Sequence, residues 1–375
     1  MGFFFDILLA IRNVYFRIRF DWLPAIYDAF EQQGILIVIV VATTLLFIIV
    51  ILFALYSIYL RLRNNRKRRR WQQLERSWRS QLNDILAGEK EPESIHRLVK
   101  KKHRLYFVDY LYKHALRLKG QELAIISEMA DPYLPVLLHV HKKSEIERRA
   151  RVVTTVSHLD IDKYLEFVVE ALDDESPIVA MAAARIITQR KYVQYARKII
   201  DRLHVFEGWS LNILASMLAN MGMEIAPELR SAMLDTNRIP RVRTIVTRAL
   251  TYLKDPHAAN TAAFVLQETE DTNLQINCLK LIADVGVPEH ADTIRYKLNS
   301  ENDTVVTKAI AALGTVGDES DIERITPYLN DPSPWKRLET IRTLKVFGQT
   351  ELLQRVAAED TPTGEIAEYV LEHEK

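Results

Sequence analysis

A chain of 375 residues with 11 glycines, one cysteine and a formal net charge of +1 excludes several classes at once. A lone cysteine allows neither an intramolecular disulfide nor a cysteine-based metal site, and the scarcity of glycine argues against a turn-rich β architecture. The length suits two or three ordinary domains, or one repeat array with a smaller attachment. The near-neutral sum hides an asymmetry, because Arg and Lys crowd the stretch from Arg61 to Lys119 while the residues from Glu359 onward are mostly acidic.

Residues 1–33 read as an N-terminal amphipathic segment outside the cytoplasm. Phe3 to Phe20 mixes Phe, Ile, Leu and Tyr with Arg12, Arg17 and Arg19, a pattern suited to a headgroup layer. From Gly34 to Leu60 the chain carries no charge, and at about 1.5 Å per residue the run exceeds a hydrocarbon core of about 30 Å. Residues 34–60 therefore predict a single retained transmembrane helix, since a signal peptide needs a shorter apolar core and a small-residue cleavage site. Trp22, Tyr27 and Phe30 before the run, and Tyr56, Tyr59 and Trp71 at or after its end, suit interfacial anchors.

Arg61, Arg63, Arg66, Lys67, Arg68, Arg69 and Arg70 follow the span, against Arg12, Arg17 and Arg19 before it. The bias predicts an N-terminus outside and a cytoplasmic C-terminal bulk, at the inner membrane if the source is bacterial. The same seven cations are candidate contacts for membrane lipid, each contributing about 1 kcal/mol near an anionic surface. Residues 61–91 form a basic juxtamembrane stalk and hinge. Trp71, Leu74, Trp78, Leu82 and Ile85 recur at three- and four-residue steps, giving one apolar helix face. That face needs a cover: the following domain, a second copy or a partner helix. Ala87-Gly88 and the stretch from Glu89 to Pro92 mark the hinge. Lys100, Lys101, Lys102, His103 and Arg104 are expected on the solvated face of a helix.

Beyond the hinge, degenerate helical repeats are read over 92–160, and over 161–360 the chain repeats itself every ~32 residues. Turns after successive first helices fall near His158, Arg190, Gly222, Lys254, Gly286, Gly317 and Gly348, where glycine is expected to serve as a helix C-cap. Second helices end near Leu172, Leu203, Leu234, Leu266, Leu298 and Leu329, and Pro177, Pro240, Pro256 and Pro334 punctuate the joints. Residues 361–375 are an acidic C-terminal end. Each hairpin has too little apolar surface for a core of its own, so neighbours must stack. The expected fold is all-α: a right-handed α-solenoid of helical hairpins, preceded by a transmembrane helix and an amphipathic stalk helix.

These units resemble HEAT repeats of the short bacterial, PBS-lyase-like type. The resemblance rests on Pro240-Arg241-Val242-Arg243 and on Ala311-Ala312-Leu313-Gly314 with Gly317-Asp318, and covers roughly Ile161 to Glu359. It implies a scaffold or adaptor that binds another protein and catalyses no reaction. Anchored HEAT proteins are similar to accessory components of envelope or exopolysaccharide systems, so the resemblance also implies a membrane glycosyltransferase as one partner class. A transmembrane signalling relay and a HEAT-fold lyase or nucleic-acid enzyme are the alternatives. The chain carries no phosphate loop, HExxH or GxSxG, and neither cofactor, metal nor nucleic acid is expected.

Arg185, Arg190, Arg241, Arg243, Lys336 and Arg337 recur near first helices and joints, and are the candidate partner-binding ridge. Salt bridges between repeats would leave the same pattern. Trp209 and Trp335 are either binding anchors or packing between hairpins. His139 and His141 are spaced two apart, unlike ligands on one helix face, and Cys278 in an apolar helix is expected to be a buried small hydrophobe. The apolar stalk face permits homo-oligomers, although the span holds no GxxxG.

Overall fold

The computed structural model describes the backbone of residues 23–141 and 144–374. The segment from Phe3 to Phe20, with Arg12, Arg17 and Arg19, and Trp22 lie outside the described residues. Among the described residues all regular structure is helical, and the chain divides into two compact units between Leu98 and Val99.

The first unit is built on α1 (Leu23–Leu86), a continuous helix of 64 residues through apolar run, basic cluster and stalk. Neither glycine nor proline occurs between Ile35 and Leu86, so nothing interrupts its hydrogen-bond ladder. Val38–Asn65 is long and apolar enough to cross a membrane, and none of its apolar window is buried. The hydroxyls of Thr43 and Thr44 donate to the carbonyls of Ile39 (2.6 Å) and Val40 (2.8 Å), so neither presents an unsatisfied group to an apolar medium.

Further along α1, Trp78, Leu82 and Ile85 are buried, as is Ile95 in the 3-10 turn Pro92–Leu98 that packs on this helix. Gln81 donates to Ser94 Oγ (2.9 Å) and Lys90 pairs with Asp84 (2.7 Å), fastening the turn to the stalk. The chain leaves α1 through Gly88 at φ +76, where glycine adopts the left-handed backbone without strain.

The second unit opens with α2 (Arg104–Ala115), α3 (Gln121–Ala130) and α4 (Leu134–His141). Of the basic group Lys100 to Arg104, only Arg104 lies on an α-helix. Lys100 is extended, Lys101–His103 forms a 3-10 turn with His103 buried, and α2 begins only at Arg104. Consecutive cations in a first helical turn would oppose the macrodipole, and α2 takes in only the last of the five.

Hairpins then follow: α5 (Ile146–Leu159) with α6 (Ile161–Glu170), α7 (Pro177–Gln189) with α8 (Ala196–Arg202), and α9 (Leu211–Ala219) with α10 (Ala226–Leu234). They continue as α11 (Pro240–Leu253) with α12 (Ala258–Glu268), α13 (Thr272–Val285) with α14 (Ala291–Lys297), and α15 (Asp303–Val316) with α16 (Asp321–Ile325). The last is α17 (Pro334–Val346) with α18 (Thr350–Ala357), followed by α19 (Pro362–His373). From α5 onward the odd-numbered helices pack side by side in one row, and one hydrophobic core runs from Val153 to Val370. This is an all-α solenoid. Leu172, Leu203, Leu266, Leu298 and Leu329 enter its core, whereas Leu234 is exposed. The acidic C-terminal stretch contains α19, whose Ala367 and Val370 complete the core against the last hairpin.

Hydrogen bonds between side chains and backbone carbonyls reproduce the sequence period. Asn220 donates to Thr188 O (3.1 Å), Arg241 to Trp209 O (2.6 Å) and Thr343 to Ile310 O (3.1 Å), across 32, 32 and 33 residues. The hairpin turns are not uniformly glycine C-caps. Gly286 and Gly317 have ordinary negative φ (−73 and −77), and glycine is required there because a Cβ would sit 2.4 Å from Ile282 O and 2.6 Å from Leu313 O. Lys254, by contrast, ends α11 in the left-handed region at φ 54.

Opposite stability changes are expected at two of these turns. Lys254→Gly relieves a left-handed non-glycine residue and should stabilise by about 0.5–1 kcal/mol. Gly317→Ala forces a close contact and should cost about 1–3 kcal/mol. Denaturant titration of the detergent-solubilised chain by circular dichroism reads both, and equal midpoints would refute this account of the turns.

Candidate partner-binding surface

The row of odd-numbered helices presents a long surface, and the first question is which cations reach it. Four of the six residues of the sequence-read ridge do not extend freely into solvent. Arg243 is buried and donates through Nε to Met233 O (2.8 Å). Arg241 donates to the carbonyls of Glu207 (3.1 Å) and Trp209 (2.6 Å), and Arg337 to those of Asp331 (2.7 Å) and Pro332 (3.2 Å). Lys336, also buried, is held by Asp303 (2.8 Å) and Asp331 (2.7 Å). Helix ends and joints leave carbonyls without partners, and long cationic side chains satisfy them. Only Arg185 and Arg190 of the six are exposed, so the structure does not assemble the six into one ridge.

Other struts follow the same rule with carboxylates. Arg149 pairs with Asp174 (2.8 Å) and Arg230 with fully buried Asp255. Arg295 reaches both oxygens of fully buried Asp321 (2.7 and 2.8 Å) as well as Asp318 (2.9 Å). Burial would raise the Asp331 carboxyl, but the Lys336 ammonium and the Ser333 N–H (2.8 Å) hold it below the usual carboxylate range. Burial would lower the Lys336 amine, and its two carboxylates raise it instead.

A different set of cations is presented by three adjacent helices: Arg248 on α11, Lys280 on α13 and Lys308 on α15. The Arg248 guanidinium donates through Nε to Asn277 Oδ1 (3.0 Å) and through a terminal nitrogen to Asn212 Oδ1, which also accepts from the half-exposed Tyr252 hydroxyl (3.2 Å). Partial burial lowers the Lys280 amine, and Lys308 and Arg248 lower it further. The carboxylate paired with Lys308 is Glu339, at 3.7 Å. Arg248 was visible in the sequence as one more recurring arginine, but Lys280 and Lys308 were missed. The available signal was the period itself, since Lys280 follows Arg248 by one repeat.

Trp209 packs edge-on to Phe206 (5.8 Å between centroids) beside the core, whereas Trp335 is 71% exposed at the start of α17. Cys278 is fully buried, and burial pushes its thiol up to about 12. His139 is exposed, and the side chain of His141 lies outside the described residues. In the first unit Arg61, Arg63 and Arg69 are exposed along α1; the side chains of Arg66, Lys67, Arg68 and Arg70 lie outside the described residues.

With this geometry in view, one comparison with known proteins bears on the repeat. A family model described as HEAT repeats matches residues 262–345. The match runs from within α12 to near the end of α17, and so includes Lys280 and Lys308. No curated protein matches the chain.

Three outcomes are expected from these contacts. Arg295→Met strands the Asp321 carboxylate in the core and should cost about 3–5 kcal/mol, most of it regained in Arg295→Met/Asp321→Asn; denaturation midpoints of both variants test it. The depressed Asp331 carboxyl contributes stability that is complete above its unfolded value of about 4 and is lost as pH falls through its lower folded value. The raised Lys336 amine contributes below about 10.4, and its share is lost as pH rises through its higher folded value. Melting temperature should therefore hold through neutral pH and fall at both extremes, with a shallower acid limb in Asp331→Asn. Cys278 should resist a thiol-labelling reagent at pH 8 until denaturant unfolds the array, and rapid native labelling would contradict its burial.

Proposed function

We propose that this chain is a membrane-tethered protein-interaction scaffold, with α1 spanning a bacterial inner membrane, the N-terminus outside and the repeats cytoplasmic. The observation that carries the reading is an apolar span with no buried part, on a chain whose other helices place their apolar residues in a core. A surface of that size costs too much in water to be left uncovered, and a bilayer covers it along its whole length. The excess of cations after the span supports the orientation. A solenoid offers an extended surface rather than a closed cavity, which suits recognition of another protein. Holding that partner at the membrane raises its local concentration without catalysis.

Within this reading residues 34–60 span, the basic cluster from Arg61 to Arg70 meets the cytoplasmic headgroups, 61–91 as a whole form the stalk and hinge, and the repeats over 92–360 dock the partner. The HEAT resemblance supports a finer version, in which the chain is an accessory subunit of a membrane glycosyltransferase in envelope or exopolysaccharide assembly.

Mild-detergent purification from native membranes, followed by mass spectrometry, tests the scaffold. A stoichiometric partner should accompany the full chain and be lost when residues 92–375 are deleted. No repeat-dependent partner would overturn a stable scaffold and favour a transient signalling relay. A glycosyltransferase among the lost proteins would support the finer version.

A further inference from the structure

Elsewhere in the array, strut cations are balanced by carboxylates or tied to backbone carbonyls. Arg149 has Asp174, Arg230 has Asp255, and Arg295 has Asp321. At the C-terminal end of the odd-numbered row Arg342 is neutralised by Glu374 (2.8 Å) with Glu339 nearby (3.6 Å). Between these regions the pattern changes. Arg248 is stretched between α9 and α13 by two asparagines, Asn212 and Asn277, whose amide oxygens orient the guanidinium and leave its charge intact. An aspartate at either position would make the same hydrogen bond and cancel the charge.

The next helix adds Lys280, whose amine is acted on by burial and by two cations, Lys308 and Arg248. Asp284, one turn further along α13, is exposed and does not figure among the charges acting on that amine. Like charges held near one another cost free energy unless an anion is supplied. The array thus orients an arginine and sets a lysine between it and a second lysine; among the described residues the carboxylate paired with this group, Glu339 on Lys308 (3.7 Å), is shared with Arg342 (3.6 Å), so three cations exceed the carboxylate that meets them.

We propose that Arg248, Lys280 and Lys308 form a docking ridge for an extended acidic segment of a partner protein. Adjacent helices lie about 8–10 Å apart, so the ridge offers cations in steps of about 10 Å. A peptide in the polyproline II conformation advances about 3.1 Å per residue with three residues per turn, so acidic residues at every third position share one face and meet successive helices. Tyr252 is half-exposed beside Arg248 and hydrogen-bonds to the same Asn212, adding an aromatic surface that a peptide backbone or apolar side chain can cover. Three cations over three helices are few for a nucleic acid, whose affinity grows with the number of phosphates neutralised. The ridge rests on the scaffold reading and adds to it the chemistry of the partner.

The test uses the full chain in a neutral detergent and a fluorescein-labelled 12-residue peptide with Glu at every third position and Gly or Ser between, followed by anisotropy. Binding should weaken with salt and vanish when the peptide's Glu residues are replaced by Gln. Lys280→Gln should weaken binding about tenfold, the loss of one charged hydrogen bond. Lys280→Arg should retain binding, and Lys198→Gln, on the even-numbered row, should leave it unchanged. Equal binding of the Gln peptide, or indifference to Lys280→Gln, would overturn the ridge. Preferential displacement of the probe by a single-stranded oligonucleotide or by phosphatidylglycerol vesicles would also overturn it, in favour of those anions. If a native partner requires the repeats yet survives Lys280→Gln, the ridge fails and the scaffold stands; loss of every repeat-dependent partner from the unmodified chain would remove the scaffold itself.

Discussion

The second unit depends on one constraint: a single helical hairpin of this length cannot bury its own apolar face. Val246 and Leu250 on α11 and Leu281 and Ile282 on α13 are buried in a core that continues through the neighbouring hairpins. Stability in such an array is a sum over hairpins and the interfaces between them. The turns reflect the same crowding, because Gly286 and Gly317 sit where the end of one helix closes on its own carbonyls. The final helix α19 supplies an apolar face to the last hairpin and turns acidic residues outward.

Stacking also creates the polar problem that the cations solve. Every hairpin brings helix ends and joint carbonyls against its neighbour, and buried carbonyls need donors. Arg202, Arg241 and Arg243 supply them to Leu172, Trp209 and Met233. Where the donor meets a carboxylate, as at Arg295 and Asp321, the pair is internal and neutral. The cations available to a partner are therefore the few the stacking does not consume. Asn212 and Asn277 fix the position of Arg248 without bringing a negative charge to it.

The first unit obeys a different constraint. A helix able to cross a bilayer must satisfy its backbone groups within itself, and α1 runs uninterrupted from Leu23 to Leu86, with Thr43 and Thr44 bonded back to the turn before. The continuity of α1 beyond Asn65 places the Arg-rich stretch and the apolar stalk face on one helix.

Much of the architecture was legible in the sequence because it rests on periodic, local signals: the uncharged run after Gly34, the recurring Leu at the ends of second helices, and prolines at the joints. The stalk face was legible for the same reason, since Trp78, Leu82 and Ile85 are spaced for one side of a helix. The sequence could not decide which arginines are free, because Arg243 and Arg248 look alike in a row of residues. One turns its guanidinium to a buried carbonyl and the other to two amide oxygens, of exposed Asn212 and buried Asn277, from helices one repeat away on either side. Nor could it distinguish a glycine needed for a left-handed turn from one needed for space, since that depends on where Leu313 O lies. Periodicity is a property of the chain and survives in its text; the destination of a long, flexible charged side chain is set by neighbours brought together only by stacking, and only the tertiary structure decided it.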